Sequence, residues 1–210
     1  MSRTDAPPDG GEQVAKYRIV DKKRFARFLV CVLLLAALIL GAVLAFRPVR
    51  QGIEEQLYPF GYRELIEKYS RERELPAALV CAVVKCESGF RPDAESSIGA
   101  RGLMQLTEET FDWVRGRLGG EETFDDMYVP EQAIRYGTYL LSYLTDVFGG
   151  TPEVLAAYHA GMNQVRRWLD DPDYSSDGET LSHIPFGDTA GYVSKVSDTM
   201  EKYRELYDLP

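Results

Sequence analysis

The longest unbroken apolar stretch in the chain runs from Phe28 to Phe46, 19 residues without a charge, bracketed by Arg27 and Arg47. It is apolar on every face of a helix and close to the ~20 residues a helix needs to cross a bilayer. After it the pattern changes to amphipathic segments of helical period. These predict helices over Tyr62–Glu74, from Pro76 to about Ser88 with Gly89 as the stop, and from a Thr107 cap to Leu118. Further helices are predicted from Pro130 to the Gly149-Gly150 pair, from Thr151-Pro152 to Ala160, over Met162–Leu169, and from an Asp188 cap over Thr189–Tyr207. No segment alternates at period two over the length of a strand. The fold class expected is all-α: one compact helical domain, large enough to bury a core, behind a single N-terminal transmembrane helix.

Charge sharpens this picture. Lys16, Arg18, Lys22, Lys23, Arg24 and Arg27 precede the apolar run, which by the positive-inside rule puts the N-terminus in the cytoplasm and the remainder outside. A cleaved signal peptide is the competing reading, because Val43-Leu44-Ala45 offers small residues to a peptidase. The length of the run favours an uncleaved anchor. The expected organisation is a disordered cytoplasmic tail over 1–24, an anchor over 25–46, a juxtamembrane linker over 47–57 and a catalytic domain over 58–210. Residues 1–46 carry 7 Lys/Arg and 4 Asp/Glu, and residues 47–210 carry 17 and 29, so the outer part holds −12 of a total of −9. So acidic a domain is a poor partner for nucleic acid.

The three cysteines give no disulfide framework. Cys81 and Cys86 lie about 140° apart around one predicted helix and cannot bridge each other. No metal-ligand spacing is present, and the acidic stretch Asp171–Glu179 has Ser176 where a calcium loop needs Gly. Neither a metal nor a cofactor is expected.

The residue with the clearest chemistry is Glu87. It ends an apolar helical run, where partial desolvation and the negative end of the helix dipole both favour a neutral carboxyl. A carboxyl protonated near neutrality is what acid-catalysed cleavage of an acetal requires.

From Glu87-Ser88-Gly89-Phe90-Arg91-Pro92 through Gly99-Ala100-Arg101-Gly102-Leu103-Met104-Gln105, the chain resembles the catalytic signature of the lysozyme-like soluble lytic transglycosylases. That family of glycoside hydrolases also includes goose-type lysozyme. Ala157-Tyr158-His159-Ala160-Gly161 is similar to the family's second motif, with His159 where Asn is usual. Ile184-Pro185-Phe186 and Gly191-Tyr192-Val193 resemble the third, without its usual Arg. The resemblance implies cleavage of the β-1,4 bond between N-acetylmuramic acid and N-acetylglucosamine, with closure of a 1,6-anhydro ring. Glu87 would be the single acid and base. Ser96 and Gln105 would meet the sugar substituents, Met104 and Tyr158 would form apolar walls, Tyr192 would bring a phenol near the acid, and His159 would line the cleft. Core packing is the alternative for Met104, Tyr158, Tyr192 and His159. Expected partners are peptidoglycan glycan strands, the membrane through the N-terminal helix, and proteins of the cell-wall machinery. Two other readings stand beside this one: a hydrolase that leaves reducing ends, and a non-catalytic wall-binding module.

Overall fold

The computed structural model describes residues 22–209. Among them are eight α-helices: α1 (Lys22–Leu57), α2 (Arg63–Glu72), α3 (Ala77–Glu87), α4 (Glu108–Leu118), α5 (Pro130–Phe148), α6 (Thr151–Ala160), α7 (Met162–Leu169) and α8 (Gly187–Tyr207). The chain divides into two units between Arg50 and Gln51. The expectation of a disordered tail lies mostly outside the described residues.

The first unit is the bulk of α1, which is long and apolar enough to cross a membrane. Residues 23–53 are all exposed, large apolar side chains such as Phe28, Leu33, Leu38 and Phe46 among them. An all-round apolar helix that finds no protein core is stable in lipid and not in water. The helix is longer than the apolar run predicts. It begins at Lys22 and continues through the expected linker to Leu57, despite Pro48 within it. Gln51 and Glu55, one turn apart, share a hydrogen bond of 3.0 Å that supports this last stretch.

The second unit is built around α3. Every residue from Ala77 to Val84 is buried, so this helix is covered on all sides and needs no polar face. Helices α2 and α8 pack on it, and α6 packs between α5 and α8. Helix α5 turns Ala133, Ile134, Gly137, Leu141 and Leu144 inward at helical spacing. A smaller core of Leu106, Phe111, Val114, Met127 and Tyr136 lies beside the main one, with Phe111 and Tyr136 stacked at 5.2 Å.

Details of the elements differ from the sequence reading. Pro76 is the cap of α3, with extended backbone, and Ala77 is its first helical residue. Asp188 does not cap α8. That helix starts at Gly187 after Phe186, and Asp188 Oδ1 instead accepts from the adjacent Thr189 N at 2.9 Å. A 3-10 turn over Phe124–Tyr128 went unpredicted. Its signal was present in the Thr-x-x-Asp spacing: Thr123 N and Oγ1 both donate to Asp126 Oδ2, and Asp126 N donates back to the Thr123 carbonyl. The three cysteines are free, as expected.

Candidate active site

Glu87 is the last residue of α3, half-buried where the core helix reaches the surface. The chain then turns sharply, with Gly89 and Phe90 both at positive φ. Ser88 anchors the turn: its hydroxyl lies 3.1 Å from the Val84 carbonyl and 2.9 Å from that of Leu103. The following loop is held by its own backbone. Gly102 N donates to Ala94 O and Arg101 N to Leu106 O, both at 2.9 Å. Arg101 reaches outward to Asp125 in the 3-10 turn at 2.8 Å.

Glycine is required at 102. Its φ is +74°, and a Cβ there would stand 1.8 Å from the carbonyl oxygen of Met127. Gly137 on α5 serves Met104 in the same way, since a Cβ on it would meet Met104 Sδ at 2.3 Å.

The predicted site residues divide into two groups. Glu87, Ser96, Gln105, Tyr158 and His159 line one cavity of about 370 Å³, together with Ile98, a large apolar side chain left 78% exposed at the loop tip. Tyr192 reaches Glu87 from α8, its hydroxyl donating to Glu87 Oε1 at 2.6 Å. Met104 belongs to the other group. Its side chain is 0% exposed in the core, so it is no wall of the cleft, and it contributes its carbonyl, which accepts from Tyr158 Oη at 2.6 Å. Two of the polar cavity residues also brace the loop. Gln105 Nε2 donates to the carbonyls of Ala94 and Gly102, each at 3.0 Å, and Ser96 Oγ accepts from Ala100 N at 3.0 Å.

Burial raises the pKa of Glu87 above the ordinary carboxyl value; the Tyr192 hydrogen bond and the charge of Lys195 oppose that rise. Burial together with the Glu87 charge pushes the phenols of Tyr158 and Tyr192 well above their usual range, so both stay protonated donors. Sequence reasoning missed Thr189. It is buried on the first turn of α8, one turn before Tyr192, with Oγ1 3.1 Å from His159 Nδ1. The spacing of Thr189 and Tyr192 was the available signal, because residues three apart on a helix share a face.

A core helix that delivers a half-buried carboxyl to a cleft, inside an all-helical domain, defines a lysozyme-like protein. The sequence profile of the Transglycosylase SLT domain matches residues 64–180, and the chain belongs to that family. The match takes in Glu87, Ser96, Met104, Gln105, Tyr158 and His159 and ends before Tyr192.

Among similar proteins is the soluble lytic murein transglycosylase of Escherichia coli (strain K12), 32% identical over 146 residues. The match covers 68% of this chain and 23% of that protein. The membrane-bound lytic murein transglycosylase C of Glaesserella parasuis serovar 5 is 28% identical over 169 residues, covering 69% of this chain and 46% of that one. The structure of an inactive Glu-to-Gln mutant of the lytic transglycosylase Slt from Pseudomonas aeruginosa superposes with a TM-score of 0.63. It is 31% identical and covers 71% of this chain and 25% of its own. The 70 kDa soluble lytic transglycosylase in complex with bulgecin A gives a TM-score of 0.66 at 29% identity, over 73% and 26% of the two chains. This chain therefore spans less than a quarter of the length of the Escherichia coli enzyme it matches.

Proposed function

We propose that this chain is a membrane-anchored lytic transglycosylase that cleaves peptidoglycan glycan strands between N-acetylmuramic acid and N-acetylglucosamine, leaving 1,6-anhydromuramic ends. The observation that carries the reading is a single carboxyl, Glu87, raised in pKa at the end of a buried helix, open to a cleft and bonded by one phenol. The names of the relatives support the substrate, and the inactive Glu-to-Gln mutant of the Pseudomonas aeruginosa protein supports the need for one glutamic acid there.

The chemistry follows from one group used twice. Protonated Glu87 gives its proton to the glycosidic oxygen as the bond from C1 to that oxygen breaks. The carboxylate left behind then takes the proton of the muramoyl C6 hydroxyl while O6 bonds to C1. Glu87 is protonated again, no water is consumed, and the second carboxylate that most glycosidases need has no step to perform. Burial favours the acid form of the resting group. The Tyr192 hydroxyl bonds more strongly to the carboxylate than to the neutral acid, so it favours the charged state at the moment that state forms. Ser96 and Gln105 hold the sugar through polar atoms at the cavity wall, and Tyr158 forms an apolar wall beside them. Residues 25–46 anchor the chain, 1–24 lie in the cytoplasm, 47–57 connect, and 58–210 work outside among cell-wall proteins. The basic residues before the apolar run support that orientation.

Mass spectrometry of muropeptides released from purified sacculi tests the reading. Anhydromuramic ends are expected. Products carrying only reducing ends would make the protein a hydrolase, and no release at all would leave a wall-binding module.

A further inference from the structure

We propose that His159 is a positioning residue for the acid: its ring holds Tyr192 in the orientation that delivers the phenol hydroxyl to Glu87. The proposal rests on the reading of Glu87 as the general acid.

Three contacts in series carry it. His159 stands on the last turn of α6 and faces the first turn of α8. Its imidazole lies against the ring of Tyr192, centroids 4.5 Å apart and planes 28° from parallel. Thr189 Oγ1, itself buried, fixes Nδ1 at 3.1 Å. Tyr192 in turn places its hydroxyl 2.6 Å from Glu87 Oε1. Thr189 and Tyr192 sit one turn apart on a common face of α8, so a single ring from α6 engages both, by its edge and by its flat side. The imidazole cannot tilt without losing the Thr189 bond, and the phenol cannot tilt toward α6 without meeting the imidazole.

This arrangement belongs to the ring. An Asn side chain, which the family motif usually carries at this position, could meet Thr189 but has no aromatic face to support a phenol. A contact at 2.6 Å has little tolerance, since a displacement of ~1 Å at a catalytic centre can cost up to ~10²-fold in rate. The same hydrogen bond opposes the burial-driven rise in the Glu87 pKa, as does the charge of Lys195 on α8. Loosening the phenol therefore has a second, directly measurable sign.

The test uses the full chain in detergent with soluble oligomers of alternating N-acetylglucosamine and N-acetylmuramic acid. It compares His159→Asn, His159→Phe, Tyr192→Phe and the double variant His159→Asn/Tyr192→Phe. Melting temperatures identify any variant that fails to fold, and Thr189→Val, which removes only the tether and keeps the ring, should resemble His159→Phe and lose less kcat than His159→Asn. His159→Asn should lower kcat by roughly 5–10-fold with KM nearly unchanged, and His159→Phe should keep several times the kcat of the Asn variant. In the Tyr192→Phe background the Asn exchange should cost less than about 2-fold, because a residue acting through Tyr192 has nothing left to act on. In ¹³C-glutamate-labelled protein, the Glu87 titration should move upward in His159→Asn and stay near its place in His159→Phe.

Equal losses with and without the Tyr192 hydroxyl, a change in KM alone, or a Phe variant as poor as Asn would each overturn the proposal. The titration requires no turnover. If the titration shifts as expected while sacculi yield no anhydro products, the transglycosylase reading fails and the positioning role stands. An unmoved titration together with normal anhydro products gives the opposite result.

Discussion

Gly102→Ala tests whether the loop after Glu87 is held as described. The added Cβ would sit 1.8 Å from the Met127 carbonyl oxygen and 2.8 Å from its carbon, whereas real side chains keep at least 3.0 Å. Both sides of that contact are backbone, so no side chain can swing away. Three costs combine. Holding Ala in the left-handed region costs about 1–2 kcal/mol. Forcing an extra carbon into a filled contact costs about 1–3 kcal/mol. Loosening the Gly102 N to Ala94 O bond and the Gln105 brace adds roughly 0.5–1.5 kcal/mol. A total near 4 kcal/mol corresponds to a fall in Tm of about 10–15 °C for a domain of this size. Gly99→Ala is the control. Its φ is +77°, yet nothing lies within 4 Å of the added carbon, so only the backbone strain of ~1–2 kcal/mol applies. Tryptophan-fluorescence melts of the two full-length variants give the comparison, and release of muropeptides reports whether the loop still serves the acid. Similar melting of both variants, within ~2 °C, would refute the close contact with the 3-10 turn.

Glu87→Gln should abolish glycan cleavage by ~10²–10⁴-fold or more while keeping the fold, because the amide is nearly isosteric but has no acid proton; near-normal turnover by a folded variant would identify a different acid. The same variant carries a stability signature. Unfolded, Glu87 titrates near its ordinary value of 4.5, and folded it titrates higher. Between those values the folded chain keeps a proton that the unfolded chain has lost, so the contribution of Glu87 is complete below 4.5 and declines as pH rises through the folded value. Calorimetric Tm values of Glu87→Gln and wild type should therefore separate in favour of Gln as pH climbs, and a gap that instead widens toward acid would contradict the buried, raised carboxyl. Cleavage itself should decline as pH rises through the Glu87 pKa, which a pH–rate profile reads directly. N-terminal sequencing of the mature protein should find the apolar run from Phe28 to Phe46 retained, and a first residue at Phe46 would mean a cleaved leader.

Most of the helices were legible because their ends carry strong local chemistry. Pro130 opens α5, Gly149 closes it, and Thr107 caps α4 through the Thr110 N–H. Glu87 was legible for a related reason, being the first carboxylate after the run from Ala77 to Val84, in which every side chain is apolar or small. The misreadings occurred where tertiary contact decides. Met104 in isolation fits a cleft wall as well as a core, and only the space left by Gly137 settles it. Gln105 and Ser96 do line the cavity, and what the sequence did not reveal is that the same side chains also brace the loop. The stacking of His159 on Tyr192 joins residues from two helices and leaves no trace in local pattern.

The bond between Tyr192 and Glu87 links positions 105 residues apart, the acid at the end of α3 and its partner on α8. Protein synthesis delivers these two groups in that order. A chain halted before α8 already carries Glu87 but lacks the phenol that opposes the burial-driven rise in its pKa and the helix that covers much of α3. The tuned carboxyl is thus assembled only after α8 has been made, and a product truncated before that helix keeps the acid without its phenol partner.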